Sequence, residues 1–96
     1  MGGVAEPGTE AFVVVDVLAR RGALEVFAAL TGGTVPERAL PARLRSFAPS
    51  VVTQRVADLR RIGAVEDVPE TGDLRLSPRG RRLQGLVDQL ARWARD

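Results

Sequence analysis

The 96-residue chain contains no cysteine, no histidine and no lysine. Without cysteine there is no disulfide, no thiolate nucleophile, no thiol redox sensor and no cysteine-bound zinc. Without histidine the commonest general base and the commonest transition-metal ligand are gone. Without lysine, Schiff-base chemistry and the phosphate-loop lysine are excluded. An enzyme would have to work with carboxylates, arginine and a few hydroxyls. No constellation of these converges in the sequence, so the chain reads as a non-enzyme with no cofactor and no metal. Aromatics are scarce too, with three Phe, one Trp and no Tyr. No apolar run approaches the ~20 residues that span a bilayer. No basic segment followed by an apolar one opens the chain as a secretory signal would, and the expected location is the cytoplasm.

What remains is the composition of an ordinary globule, 45% apolar and 27% charged. The length allows one small core. All 14 positive charges are arginine, set against 12 acids, for a net charge of +2. Residues 1–48 carry five Arg and five acids, and residues 49–96 carry nine Arg and seven acids. The basic excess therefore lies in the second half, a weak pointer to an anionic partner. The arginine bias and 13 alanines fit a GC-rich bacterial genome.

Residues 1–8 hold Gly and Pro without periodicity and read as an N-terminal arm, leaving 9–96 as the folded domain. Thr9 reads as the N-cap of a first helix from Glu10, with Arg20 and Arg21 near its end and Gly22 breaking it. A second helix over Ala23–Leu30 has Leu24, Val26, Phe27 and Leu30 as its core stripe, and Thr31-Gly32-Gly33 ends it. Thr34 and Val35 suit a very short strand. A third helix is predicted from Ala39 to Ser46, with Pro41 tolerated in its first turn. Pro49 opens a fourth helix whose Val52, Val56 and Leu59 form a core stripe, and Ile62-Gly63 closes it. Ala64–Val68 and Leu74–Leu76 read as a hairpin around Pro69–Asp73. Ser77-Pro78 is a strong helix start, and the last helix presents Leu83, Leu86, Val87, Leu90 and Trp93 on one face. The fold class is α+β, mainly α. Its order of elements is that of a winged helix-turn-helix with a short acidic hairpin as wing.

The residues that carry the strongest resemblance are Pro49-Ser50-Val51-Val52-Thr53-Gln54-Arg55-Val56, together with Leu59 through Glu66 and Leu74 through Leu83. With Asp16-Val17-Leu18, Leu24 through Gly33, Ala39-Leu40 and Leu44, they resemble the HxlR family of bacterial winged-helix transcription regulators over residues 12–95. The resemblance implies a homodimer formed through the first and last helices, with each fourth helix in a major groove. It further implies response to a small molecule or oxidant, which nothing in the residues names. Four departures stand out. The family's N-terminal cysteine is absent, so thiol sensing is excluded. Gly22 stands where the family often has Trp, and Glu37 where it often has an aromatic. The hairpin is shorter than usual and acidic.

Turning Val52, Val56 and Leu59 inward leaves Ser50, Thr53, Gln54 and Ala57 on the outer side of the fourth helix. Gln54 suits an adenine edge, Thr53 a phosphate or a thymine methyl, and Arg55 a phosphate or base edge. The helix start offers free N–H groups to a phosphate. Arg43, Arg45, Arg75 and Arg79 complete the candidate contacts to double-stranded DNA, as backbone anchors. The competing reading makes all of these solvated surface residues. Glu66, Asp67, Glu70 and Asp73 set the wing against the electronegative minor groove. That tension supports an alternative, a winged-helix module that binds protein and has little DNA affinity.

Glu66 and Asp67, adjacent in a strand, point to opposite faces and do not form a catalytic pair. Gly80-Arg81-Arg82-Leu83-Gln84-Gly85 is spaced like part of a phosphate loop but lacks its Lys and Ser/Thr. The first helix is apolar nearly all round, which a small monomer cannot bury. Burial against a second copy resolves this, with Phe12, Val13, Leu86, Leu90 and Trp93 as the expected dimer interface.

Overall fold

The structure, a computed structural model, describes residues 8–96. The expected arm lies outside the described residues except for Gly8, which belongs to the first helix. Helix α1 spans Gly8–Ala19. Thr9 is therefore inside the helix and not its cap, and Arg20 and Arg21 follow its last turn. Gly22, at φ 88°, turns the chain into α2, Ala23–Ala29. An added Cβ at Gly22 would stand 3.5 Å from both Phe47 and Val51, an ordinary contact, so it is the left-handed backbone that favours glycine at this corner.

Ala23, Val26, Phe27 and Leu30 are the buried stripe of α2, whereas Leu24 is 45% exposed. The inward positions follow i, i+3, i+4 and i+7 from Ala23, and Leu24 lies about 100° round the helix from them. The chain then runs to Val35, whose N–H and C=O both bond Leu74, each at 2.8 Å. The third helix is shorter than its sequence suggests. A 3₁₀ turn at Glu37–Ala39 leads into α3, Leu40–Arg43, and Leu44 leaves helical geometry at ψ 56°. Pro41 sits in the first turn, as the missing N–H requires.

Helix α4 covers Pro49–Arg61, starting on the extended Ala48. Strands β1 (Val65–Asp67) and β2 (Leu74–Leu76) pair antiparallel, with Val65 opposite Leu76 and Glu66 opposite Arg75. Helix α5 spans Pro78–Arg95 and is capped by Ser77, whose Oγ accepts from the Gly80 N–H at 2.9 Å. One core joins these elements. Val17, Phe27, Leu30, Leu40, Val52, Val56, Leu59, Leu74 and Leu76 meet in it, and α4 packs against α2 and β1. At roughly 25 cal/mol per Å², burying each of these apolar side chains contributes on the order of 2 kcal/mol.

Candidate nucleic-acid interface

Helices α3 and α4, joined by Leu44–Ala48, present one exposed surface. On α4 the buried stripe is Val52, Val56 and Leu59. The opposite side carries Ser50, Thr53, Gln54 and Ala57, all exposed. The amphipathic pattern thus anchors α4 by one face and frees the other along its length. Arg43 and Arg45, also exposed, flank it from α3 and the turn, and neither forms an ion pair among the described residues.

The other candidate arginines are held more firmly. Arg55 is half-buried, its Nε 3.3 Å from Asp58 Oδ2. Arg75 donates to Glu66 across the hairpin at 2.7 Å. Arg79 donates from Nε to the Ile62 carbonyl at 3.1 Å, closing the C-terminal end of α4. That bond supplies a local reason for a cation in the first turn of α5, where the helix dipole disfavours it. Arg60 bridges Asp67 at 2.7 Å and Glu37 at 2.8 Å. Those two carboxylates, Asp67 foremost, hold its guanidinium above its ordinary pKa.

The wing is consequently less acidic than its sequence. Glu66 is matched by Arg75 and Asp67 by Arg60, so the adjacent acids go to separate partners. Glu70 and Asp73, in the turn after Val68, form no ion pair among the described residues.

Asp58, a buried carboxylate on α4, is not among the residues that the sequence singles out. It is 1% exposed and lies within 3.3 Å of three guanidinium groups, from Arg20, Arg55 and Arg61. Arg20 also bonds Asp16 at 2.7 Å, and Asp16 followed by Asp58 raises its pKa. A buried carboxylate persists only when paired. The available signal was the spacing Arg55, Asp58, Arg61, an i±3 ladder that brings three charges together on one helix.

Helices α1 and α5 carry a second exposed surface. Phe12 and Val13 on α1 are 65% and 46% exposed, and Leu86, Leu90 and Trp93 on α5 are 63%, 65% and 75% exposed. Between these helices runs an apolar groove of about 490 Å³, lined by Val14, Leu18, Leu83, Leu86 and Val87 among others.

No protein-family model matches the chain, and no curated protein matches it in sequence. Solved structures do match in shape. Quinone-bound YodB from B. subtilis superimposes with a TM-score of 0.79 at 16% identity, covering 91% of this chain and 97% of its own. An Enterococcus faecalis V583 protein assigned to the MarR family of transcriptional regulators gives 0.79 at 20% identity, covering 99% and 90%. HlyU from Vibrio cholerae N16961 gives 0.68 at 23% identity, covering 91% and 97%. The fold is a winged helix-turn-helix. Within that winged helix α3 and α4 are the helix-turn-helix pair, and β1 and β2 are the wing. No described helix is long and apolar enough to cross a membrane.

Proposed function

We propose that the protein is a dimeric, sequence-specific DNA-binding transcription regulator of HxlR type, with α4 in the major groove. The observation that carries this reading is the exposed row Ser50, Thr53 and Gln54 above a fully buried stripe on the second helix of a helix-turn-helix. Gln54 reads a base edge, and Arg43 and Arg45 hold phosphates. Pairing of Glu66 with Arg75 across the hairpin, and of Asp67 with Arg60 of α4, removes much of the wing's repulsion from DNA. The exposed apolar residues of α1 and α5 supply the dimer contact, since a contiguous face of this kind marks an interaction site. The groove between the two helices is where a small-molecule effector would enter.

The unmatched carboxylates Glu70 and Asp73 at the wing tip favour a second reading, a module that binds a basic protein surface. Selection of random duplex fragments by the purified protein separates the two. The regulator enriches a palindrome with half-sites about one helical turn apart, and its affinity falls steeply with salt. Gln54→Ala then relaxes one base-pair position by roughly 1–3 kcal/mol. Weak binding without enrichment, erased at physiological salt, transfers the function to the interaction module.

A further inference from the structure

We infer that Asp58 is a positioning residue for DNA contact: it holds Arg55 by Nε and thereby turns the rest of that guanidinium outward from α4. The inference rests on the DNA-binding reading above and adds to it a residue that touches no DNA.

Three observations carry it. Arg55 Nε and Asp58 Oδ2 are both buried, lie 3.3 Å apart and have no hydrogen-bond partner among the described residues. Their attraction is therefore ionic and works where water does not reach. The Nη nitrogens of Arg55 are not among the buried polar atoms left without a partner, and they form no hydrogen bond among the described residues. A guanidinium fixed at Nε keeps a planar pair of Nη donors whose direction is then set, the geometry that suits a phosphate or guanine edge. The stem of Arg55 also packs at the Gly22 corner, where an added Cβ would stand 3.6 Å from its Cγ.

The charge balance points the same way. Arg20, Arg55 and Arg61 meet Asp58, and Arg20 also meets Asp16. Three cations against two carboxylates leave the cluster one positive charge in excess. Arg20 and Arg61 both meet Asp58 Oδ1, at 3.1 Å each, while among the described residues the ion pair at Oδ2 is with Arg55. The carboxylate is thereby divided, one oxygen anchoring the end of α1 and the last turn of α4, the other orienting Arg55.

The test is a salt titration of binding to a mixed-sequence duplex longer than two helical turns, with melting followed in parallel. Each phosphate contact contributes about 0.9 to the slope of log affinity against log salt. Arg55→Ala should lower the slope by about that amount per protomer. Asp58→Asn should do the same, and the double variant should lose no more than Arg55→Ala alone. Arg55→Lys keeps the charge and leaves Asp58 intact, so it is informative even where Asp58→Asn does not fold. Its single ammonium is captured by Asp58, and its slope should match that of Arg55→Ala. A wild-type slope in Arg55→Lys, or a folded Asp58→Asn with unchanged slope and affinity, overturns the positioning role and leaves the DNA-binding reading standing. A wild-type protein with no salt-dependent binding to the duplex overturns both.

Discussion

Gly80 sits directly against the carbonyl of Ala64, so closely that a Cβ on residue 80 would overlap the carbonyl oxygen. The first turn of α5 can reach the start of β1 only because residue 80 has no side chain. Gly80→Ala should therefore destabilise the domain by about 1–3 kcal/mol or more, because the obstacle is backbone and cannot rotate away. Gly85, one turn and a half further on, meets open space. Gly85→Ala should leave stability unchanged or raise it by up to about 1 kcal/mol through helix propensity. Urea unfolding of the two variants checks the contrast, and equal midpoints would remove the close approach from the account.

Ser77 works in two directions. Its Oγ accepts from the Gly80 N–H at 2.9 Å and donates to the Gly63 carbonyl at 2.5 Å. Ser77→Ala loses both and should cost about 1–2 kcal/mol, as for an N-cap whose removal also leaves a carbonyl unpartnered. The same unfolding measurement reads it, and a loss near zero would mean that water replaces the hydroxyl.

Stability should be flat from about pH 6 to about pH 10. The side chains that ordinarily titrate in or beside this window are His, Cys, Lys and Tyr, and the chain has none of them. Arg20 and Arg60 have folded-state pKa values raised above the ordinary one, by Asp16 then Asp58 and by Asp67 then Glu37 respectively. A raised pKa gives stability that is complete below the unfolded value and lost only as pH climbs through the folded one. For arginine that loss lies at strongly alkaline pH, beyond the flat window. A urea midpoint that drifted across the flat window would contradict this, the α-amino group aside.

Trp93 is the single tryptophan and is 75% exposed. If α1 and α5 form the dimer contact, its emission should move to the blue as protein concentration rises through the association constant. Trp93→Ala should weaken association by about 2 kcal/mol, the scale of an interface anchor. Emission independent of concentration, with a monomeric mass by sedimentation, would take Trp93 out of the interface.

Local chemistry made most of the fold legible. The Pro49 start, the Val52, Val56 and Leu59 stripe, and the Ser77-Pro78 cap each act within one or two turns of chain, and the structure has them where the sequence puts them. Leu24 misled because it is apolar and three residues before Phe27, while small Ala23 takes the inward place. The third helix is shorter than its composition suggests because Leu44–Ser46, helical in composition, are needed as the turn into α4. The exposed row on α4 was readable from the stripe beneath it. The charge pattern was not, since Arg60 with Glu37 and Arg20 with Asp58 join segments far apart in sequence. A wing that looks uniformly acidic in one dimension is partly neutralised in three.

Three successive carbonyls, those of Ile62, Gly63 and Ala64, accept bonds from the Arg79 side chain, the Ser77 hydroxyl and the Ser77 amide. The end of α4 and the beginning of α5 are thus stitched together across the whole wing. Amide protons on either side of that seam should exchange with solvent as a single cooperative unit, at the rate set by opening of the domain as a whole and not by fraying. Helices α4 and α5 then have no independent breathing mode, and the wing between them is a loop pinned at its base.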